Sequence, residues 1–523
     1  MGATEPAHHR DLRMDGGAAA TAPVRARAGR RAWLGLAVLA LPCMLYSMDM
    51  TVLNLALPTL SAELRPSPTE MLWIVDIYGF MVAGLLITMG TLGDRIGRRR
   101  LLLAGAAAFG AASVLAASST SAAMLVLARA LLGIAGATIA PSTLSLIRHL
   151  FEDARERSLA IGIWVASFSV GAAVGPIAGG LLLEAWGWAA VFLVAVPVML
   201  LLLALGPFLL PEYRSPDPGP LDLASVGLSI VAALAAIHGI KRLALAGPGL
   251  EALAALALGI FLGVAFLRRQ KRHPAPLIDL AMFRAPGFGA ALLVYGAACF
   301  IAFCNFLFIA LYLQQVLQLS PLHAALGSTP FALAFVVGSV GVPLLARRFA
   351  APRLVAAGFA LAAAGYLGLA TLAPGQSPGW AILWAVVFSL GLSPVFTLAT
   401  DLVVSSAPAR AAGAASSISE TVAEFGGATG IALYGSLVGA VYRIALVDAW
   451  PDGAGAMPAS LHEGIAHAAS LVAPLGDAVL AAGRDAFTTA LRTGAIASAI
   501  ACIALAGAAA RYARRRAIPA AGS

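Results

Sequence analysis

The sequence is poor in charge, in cysteine and in the polar residues that clothe a soluble protein. Of its 523 residues only 11% are Asp, Glu, Lys or Arg, while 60% are hydrophobic, and the mean hydropathy is +0.89. An ordinary soluble domain carries roughly 25% charged residues, so this chain cannot cover a globular surface in water. That shortage excludes a solvated enzyme, a nucleic-acid binder and a disordered scaffold. The four cysteines (Cys43, Cys299, Cys304, Cys502) all lie inside apolar runs, with neither CxxC nor metal-ligand spacing. They read as small core residues with free thiols. No Walker-type glycine loop precedes a helix, so ATP is not the expected energy source. A nucleophile–base pair or metal cluster at matched depth is missing too, and neither tail is long enough for a folded soluble module. An intramembrane hydrolase and a receptor are therefore disfavoured, and no cofactor, metal or nucleic-acid partner is expected.

What is abundant is long apolar sequence. A spanning helix needs about 20 mostly apolar residues, and fourteen such runs occur. Six extend from Trp33–Leu57 to Ala189–Leu210, two follow at Leu221–Ile240 and Leu250–Leu267, and six more run from Ala290–Leu313 to Leu491–Ala510. The expected fold class is an all-α membrane protein with its helices arranged 6+2+6. The formal charge of +9 sorts by side: 27 of the 34 basic residues fall in the tails and even-to-odd loops, six in the other loops, and Arg129 within a span. The positive-inside rule then puts both termini in the cytoplasm of a multi-pass protein of the cytoplasmic membrane. Residues 1–31 read as a disordered cytoplasmic arm, 32–211 as an amino-terminal six-helix bundle and 212–286 as two extra helices with a cytoplasmic linker. Residues 287–510 form a carboxy-terminal six-helix bundle with an outer loop at 445–485, and 511–523 a basic cytoplasmic tail. Within that loop, 460–482 has helix-like apolar spacing, which suits an amphipathic surface helix or hairpin.

The two bundles carry traces of a repeat. The loop beginning at Leu92 (Leu92-Gly-Asp-Arg-Ile-Gly-Arg-Arg-Arg-Leu-Leu-Leu-Ala-Gly105) aligns without a gap on that beginning at Leu345 (Leu345-Ala-Arg-Arg-Phe-Ala-Ala-Pro-Arg-Leu-Val-Ala-Ala-Gly358), with six of fourteen positions identical. Both join the second and third helix of a six-helix block, the arrangement from which many secondary transporters are built.

The first of these loops contains Gly90-Thr-Leu-Gly-Asp94-Arg95-Ile-Gly97-Arg98-Arg99, which resembles the cytoplasmic signature loop of the major facilitator superfamily. A carboxylate and arginines across a glycine turn can lock one face by ion pairs, whereas Arg99 and Arg100 individually read as solvated orienting charges. In the fifth span, Gly171-Ala-Ala-Val-Gly175-Pro176-Ile-Ala-Gly179-Gly180 is similar to the motif that marks antiporters within the superfamily; its glycines four apart permit close helix packing. The first-span sequence Leu45-Tyr-Ser-Met-Asp49-Met-Thr-Val-Leu-Asn54-Leu-Ala-Leu-Pro58 resembles the fourteen-span drug:proton antiporters. The resemblance runs from about Tyr46 to Tyr442 and is nearest to exporters of quaternary ammonium compounds and methyl viologen. Two departures stand out: in the fourth-span sequence Arg129-Ala-Leu-Leu-Gly133, which otherwise resembles the family's, Leu132 occupies a position that is usually polar, and the second signature loop has Arg347 where Asp94 stands in the first. The resemblance implies a multidrug exporter driven by the proton gradient, which acts as a monomer on lipophilic, cationic compounds. A narrower alternative is an exporter of one metabolite or self-made antibiotic on the same scaffold.

Charged groups inside a bilayer cost several kcal/mol and are candidates for function. Five acids fall within spans, Asp49, Asp76, Asp401, Glu420 and Glu424, against the single base Arg129. Counting along the helices places Asp49 about 13 Å, Asp76 about 8 Å and Arg129 about 10 Å from the outer ends of their spans. Asp49 and Arg129 are thus the candidate proton-coupling pair. Asp76, Glu420 and Glu424, with Tyr46, Trp73, Trp164 and Phe306 as aromatic walls, are candidates for substrate binding. Glu420 and Glu424 are four apart and share a helix face. Asp401, near the inner end of its span, reads equally as a capping group or a transport residue.

Overall fold

The computed structural model describes residue 2 and residues 28–214, 222–247, 249–274, 276–285, 287–373, 375–407, 412–447, 449–458 and 461–517. The expected disordered arm therefore lies almost wholly outside the described residues. No strand occurs among the residues that are described, and fourteen of their helical stretches are long and apolar enough to cross a membrane.

The helices are α1 (Arg30–Leu64), α2 (Pro68–Ile96), α3 (Arg98–Ala117), α4 (Ala122–Gly136), α5 (Ile139–Leu150), α6 (Ala154–Trp186), α7 (Trp188–Leu193), α8 (Ala195–Leu209), α9 (Leu223–Ala246) and α10 (Leu250–Arg272). There follow α11 (Phe288–Leu311), α12 (Pro321–Leu345), α13 (Ala351–Leu369), α14 (Pro378–Ser406), α15 (Ala412–Val447), α16 (Leu461–Ala468) and α17 (Ala473–Ala517). The pairs α4/α5 and α7/α8 each make one span, and a π turn over Tyr312–Val316 prolongs α11.

Local chemistry sets the boundaries. At the start of α2 the Ser67 hydroxyl accepts the Glu70 N–H, the Glu70 carboxylate takes the Ser67 N–H, and Pro68 opens the helix, so the first orphan donors are satisfied. Asp153 and Asp222 cap α6 and α9, their carboxylates accepting N–H groups of the first turn. Gly97, at φ 112°, turns the chain between α2 and α3, a conformation that side chains with a Cβ rarely adopt.

Within α1–α8, α1 packs on α6 and α8, α2 on α4, and α3 on α4 and α8. Within α11–α17, α11 packs on α15, α12 on α14, and α13 on both α14 and α17. The two sets meet where α6 lies along α12 and α2 and α5 lie along α15. Helices α9 and α10 pair with each other, and α9 also lies against both α2 and α15. Most of the large apolar side chains of α10, among them Leu250, Ile260 and Phe261, face outward, as a lipid-facing helix requires.

Several helices run past the ends expected from the sequence, and three of these differences have consequences. The seventh span reaches Leu243 and its helix Ala246, so Lys241, expected in an outer loop, stands inside the helix. The last helix does not start near Leu491: it begins at Ala473, absorbs the second half of the expected outer hairpin, and packs on the short α16. It also continues through the basic tail to Ala517, because a polar sequence without Gly or Pro has no reason to leave a helix already nucleated by its apolar part.

Candidate functional site

The helix ends bearing most arginines converge on one side, where α2, α3 and α15 meet. The Arg98 guanidinium is fully buried, donates from Nε to Asp94 at 3.0 Å, and holds Nη2 2.6 Å from the same carboxylate oxygen as an ion pair. The amino-terminal turns of α15 close over this pair. A Cβ on Gly413 would fall 1.0 Å from Arg98 Nη2, and one on Gly90 1.5 Å from the Ser417 hydroxyl. Arg95 is partly buried beside Asp94, and a Cβ on Gly97 would meet the Glu212 carboxylate at 2.5 Å.

Two further contacts, absent from the sequence reading, tie the same side together. Arg148 of α5 donates to the carbonyls of Val404 and, at 2.6 Å, Ala407 at the end of α14, where unsatisfied carbonyls favour a cation. Arg157 of α6 faces Asp401 of α14 at 3.6 Å, so Asp401 is an ion-pair partner across the two helix sets. Arg99 is also more than a solvated charge, whereas Arg100 stays largely exposed as expected. Arg99 donates to the Pro207 and Leu210 carbonyls that end α8, and both arginines approach Glu212 at 3.6 and 3.7 Å. Spacing along the chain holds no signal for these contacts, since each joins residues more than a hundred positions apart.

Deeper in the first set, Arg129 of α4 pairs with Asp49 of α1 at 2.5 Å, donates to the Ile74 carbonyl, and lies 4.7 Å from the Tyr78 ring centre. Its side chain is 1% exposed and that of Asp49 15%. A cavity of about 10 Å³ beside Asp49, lined by Met48, Phe109, Ser113 and Phe192 among others, has room for about one water.

The α15 carboxylates lie where the two sets meet. Glu424 accepts a hydrogen bond from the Tyr46 hydroxyl of α1 at 2.9 Å. Glu420 is different: its Oε1 is buried with no hydrogen-bond partner among the described residues. Two chains of aromatic side chains lie in the helices packed around α15 and α1. On the α1/α6 side Tyr46 meets Phe168 edge-on at 6.0 Å, and Phe168 meets Trp164 at 4.8 Å. Trp164 is buried and its indole N–H is held by Thr143. On the α11/α12/α14 side Tyr295, Phe396, Phe335 and Phe306 contact one another in series.

Asp76 departs from expectation. It is not a free cavity acid but pairs with Lys241 of α9 at 2.5 Å, so Arg129 is not the only base inside a span. The sequence signal was there, but a segment end placed three residues early moved Lys241 into a loop. Trp73, one turn before Asp76, is 43% exposed and stands edge-on to Phe80 at 6.1 Å.

The glycine motif of α6 is used unequally. A Cβ on Gly171 would lie 2.1 Å from the Met44 carbonyl oxygen, on Gly175 2.4 Å from the Thr51 hydroxyl, and on Gly179 2.4 Å from Val52. Gly180, outside the four-residue spacing, faces open space. Pro176 is accommodated inside the continuous α6.

A buried ion pair in one helix set, a buried carboxylate oxygen without a hydrogen-bond partner where it meets the other, and polar contacts joining the two sets on one side suit a membrane carrier. The profile of the Major Facilitator Superfamily matches residues 39–431. The chain belongs to this superfamily. It is 43% identical over 489 residues to the multidrug efflux pump LfrA of Mycolicibacterium smegmatis, covering 92% of this chain and 97% of that protein. It is 33% identical to the methyl viologen resistance protein SmvA of Salmonella typhimurium, covering 87% of this chain and 93% of the relative. The tetracenomycin C resistance and export protein of Streptomyces glaucescens is also 33% identical, with coverage of 81% and 79%. Among solved structures, the human organic anion transporter MFSD10 superposes with a TM-score of 0.57 over 90% of this chain and 99% of that one, at 16% identity; that likeness is one of fold. The chain is accordingly a transporter of the major facilitator fold rather than an enzyme.

Proposed function

We propose that this transporter exports lipophilic drugs, cations among them, across the cytoplasmic membrane in exchange for protons. The named relatives that export or resist drugs support efflux. The observation that carries the cationic and proton-coupled part is Glu420, whose Oε1 is buried without a hydrogen-bond partner among the described residues, one helical turn from Glu424. Carboxylates in apolar surroundings favour the protonated form until a cation arrives, so entry of a lipophilic cation and release of a proton are coupled at one site. Aromatic faces add attraction for the cation's charge and burial for its apolar body. Asp49 and Arg129 alternate between an ion pair and a protonated, separated state. The Asp94–Arg98, Arg148 and Arg157–Asp401 contacts hold the cytoplasmic side closed, so the present conformation is one closed to the cytoplasm. In this reading α1–α8 and α11–α17 supply two six-helix units that rock about α9 and α10, the termini are cytoplasmic, and the monomer suffices. The kinship with a tetracenomycin C exporter favours one second reading, export of a single antibiotic.

Accumulation of a fluorescent monocation inside energised everted vesicles, where export appears as uptake, tests the proposal. Transport should collapse with a protonophore, and Glu420→Gln should abolish it while efflux of a neutral drug continues. Cation efflux that persists at full rate in Glu420→Gln, or that ignores the proton gradient, refutes the assignment.

A further inference from the structure

Only two of the 34 basic residues are lysines, Lys241 and Lys271. A chain that otherwise uses arginine has placed a lysine inside a span, and its surroundings are specific. The Lys241 ammonium lies 2.5 Å from Asp76 Oδ1 and 4.8 Å from the centre of the Phe80 ring. A carboxylate with an adjacent aromatic face is the chemistry that recognises organic ammonium ions. Trp73 extends the aromatic surface, edge-on to Phe80 and partly open. The site is not sealed: the Lys241 and Asp76 side chains are 37% and 27% exposed. Next to it, Glu251 is already taken by His238 and Arg242, which leaves Asp76 as the acid that Lys241 serves.

The geometry points to Asp76 and Phe80 as a subsite for the ammonium group of a substrate, occupied in the empty transporter by Lys241 as a tethered surrogate. Lysine suits such a role better than arginine. Its ammonium is compact, its four-carbon stem is flexible, and it makes no bidentate fork that would fix it to the carboxylate. A substrate cation displaces the Lys241 head group, and the lysine returns when the substrate leaves. Helix α9, one of the two helices outside the six-helix units, thereby sets the affinity for cations. This rests on the proposal that the protein moves organic cations, and it adds a second cation contact to the one at Glu420.

The test uses the full-length transporter in proteoliposomes, with matched monovalent and divalent quaternary ammonium compounds and a neutral drug. A half-exposed ion pair contributes about 1 kcal/mol, equivalent to roughly fivefold in affinity. Lys241→Gln should therefore lower the apparent KM for the cations about fivefold and leave the neutral drug unchanged, and adding Asp76→Asn should erase the gain. Equal losses for all substrates in Lys241→Gln, restored by the exchanged pair Asp76→Lys/Lys241→Asp, would mark the contact as a structural strut and overturn the inference. A second measurement needs no variant. In the wild type, acylation of Lys241 by an amine reagent, normalised to Lys271, should rise when a saturating quaternary ammonium compound is added; unchanged or reduced acylation overturns the proposal. A wild type that moves no cation sinks the parent reading, whereas cation transport without any response at Lys241 sinks this inference alone.

Discussion

The glycines of α6 offer the sharpest test, because the motif treats them alike and the structure ranks them. A methyl group added at Gly171 meets the Met44 carbonyl oxygen at 2.1 Å. That atom belongs to the backbone of α1 and cannot rotate away, so α1 and α6 must part by roughly an ångström. At Gly175 the obstacle is the Thr51 hydroxyl, itself hydrogen-bonded to the Met48 carbonyl, and at Gly179 a Val52 methyl; both are side-chain atoms with some freedom. At Gly180 nothing lies within 4 Å. Overpacking costs about 1–3 kcal/mol, against a gain of about 1 kcal/mol from replacing glycine by alanine in a helix. The expected order of damage is Gly171→Ala, then Gly175→Ala and Gly179→Ala, with Gly180→Ala neutral or slightly stabilising. Thermal unfolding of the purified protein in detergent and drug efflux in vesicles should follow the same order. Equal behaviour of Gly171→Ala and Gly180→Ala in both assays would refute the claim that contact between α1 and α6, rather than the motif as such, requires these residues.

Asp49→Asn should abolish pH-driven efflux in proteoliposomes while the protein remains inserted and folded; unimpaired exchange would remove Asp49 from the coupling step. Asp94→Asn and Arg148→Gln should each slow turnover with little change in apparent substrate affinity, because both release contacts closing one side, and unaltered turnover in both would show those contacts to be dispensable. At the α9 cap, the Arg269 side chain, helped by Ser225, holds Asp222 well below the usual carboxylate range. Such a group contributes stability above its unfolded pKa and loses it only as pH falls through the depressed native value. Because His273 also faces this carboxylate at 3.6 Å and gains charge as the pH falls, Asp222→Asn should lower the unfolding temperature at pH 7.5 and at least as much at pH 5.5; a penalty that disappears between those values would contradict the pairing.

How much of this was legible in the sequence depended on the range of the interaction concerned. The number of spanning helices follows from apolar run length alone, because a bilayer sets a length that composition must satisfy. The Asp49–Arg129 pair was accessible because charges in lipid are costly enough to need partners and their depths can be counted along a helix. The shared face of Glu420 and Glu424 follows from helical periodicity. Segment ends were less secure: a helix stops where capping and packing allow, and the three-residue difference at α9 hid Lys241 from view.

The tertiary structure alone decided which neighbours the charges met. Asp76 was chemically identical to a free cavity acid until α9 was laid against α2. Arg148 and Arg157 counted only as orienting charges until the end of α14 was brought to them, and Gly180 counted with Gly171 in one motif until α1 was seen to touch one and not the other. Each distinction depends on contacts between residues far apart in the chain, set by which helices pack and at what rotation. A hydrophobic pattern records that a helix is immersed in lipid, and a lone charge records that it needs a partner. Neither records which of several eligible helices supplies it, because that choice belongs to the packing of the whole bundle.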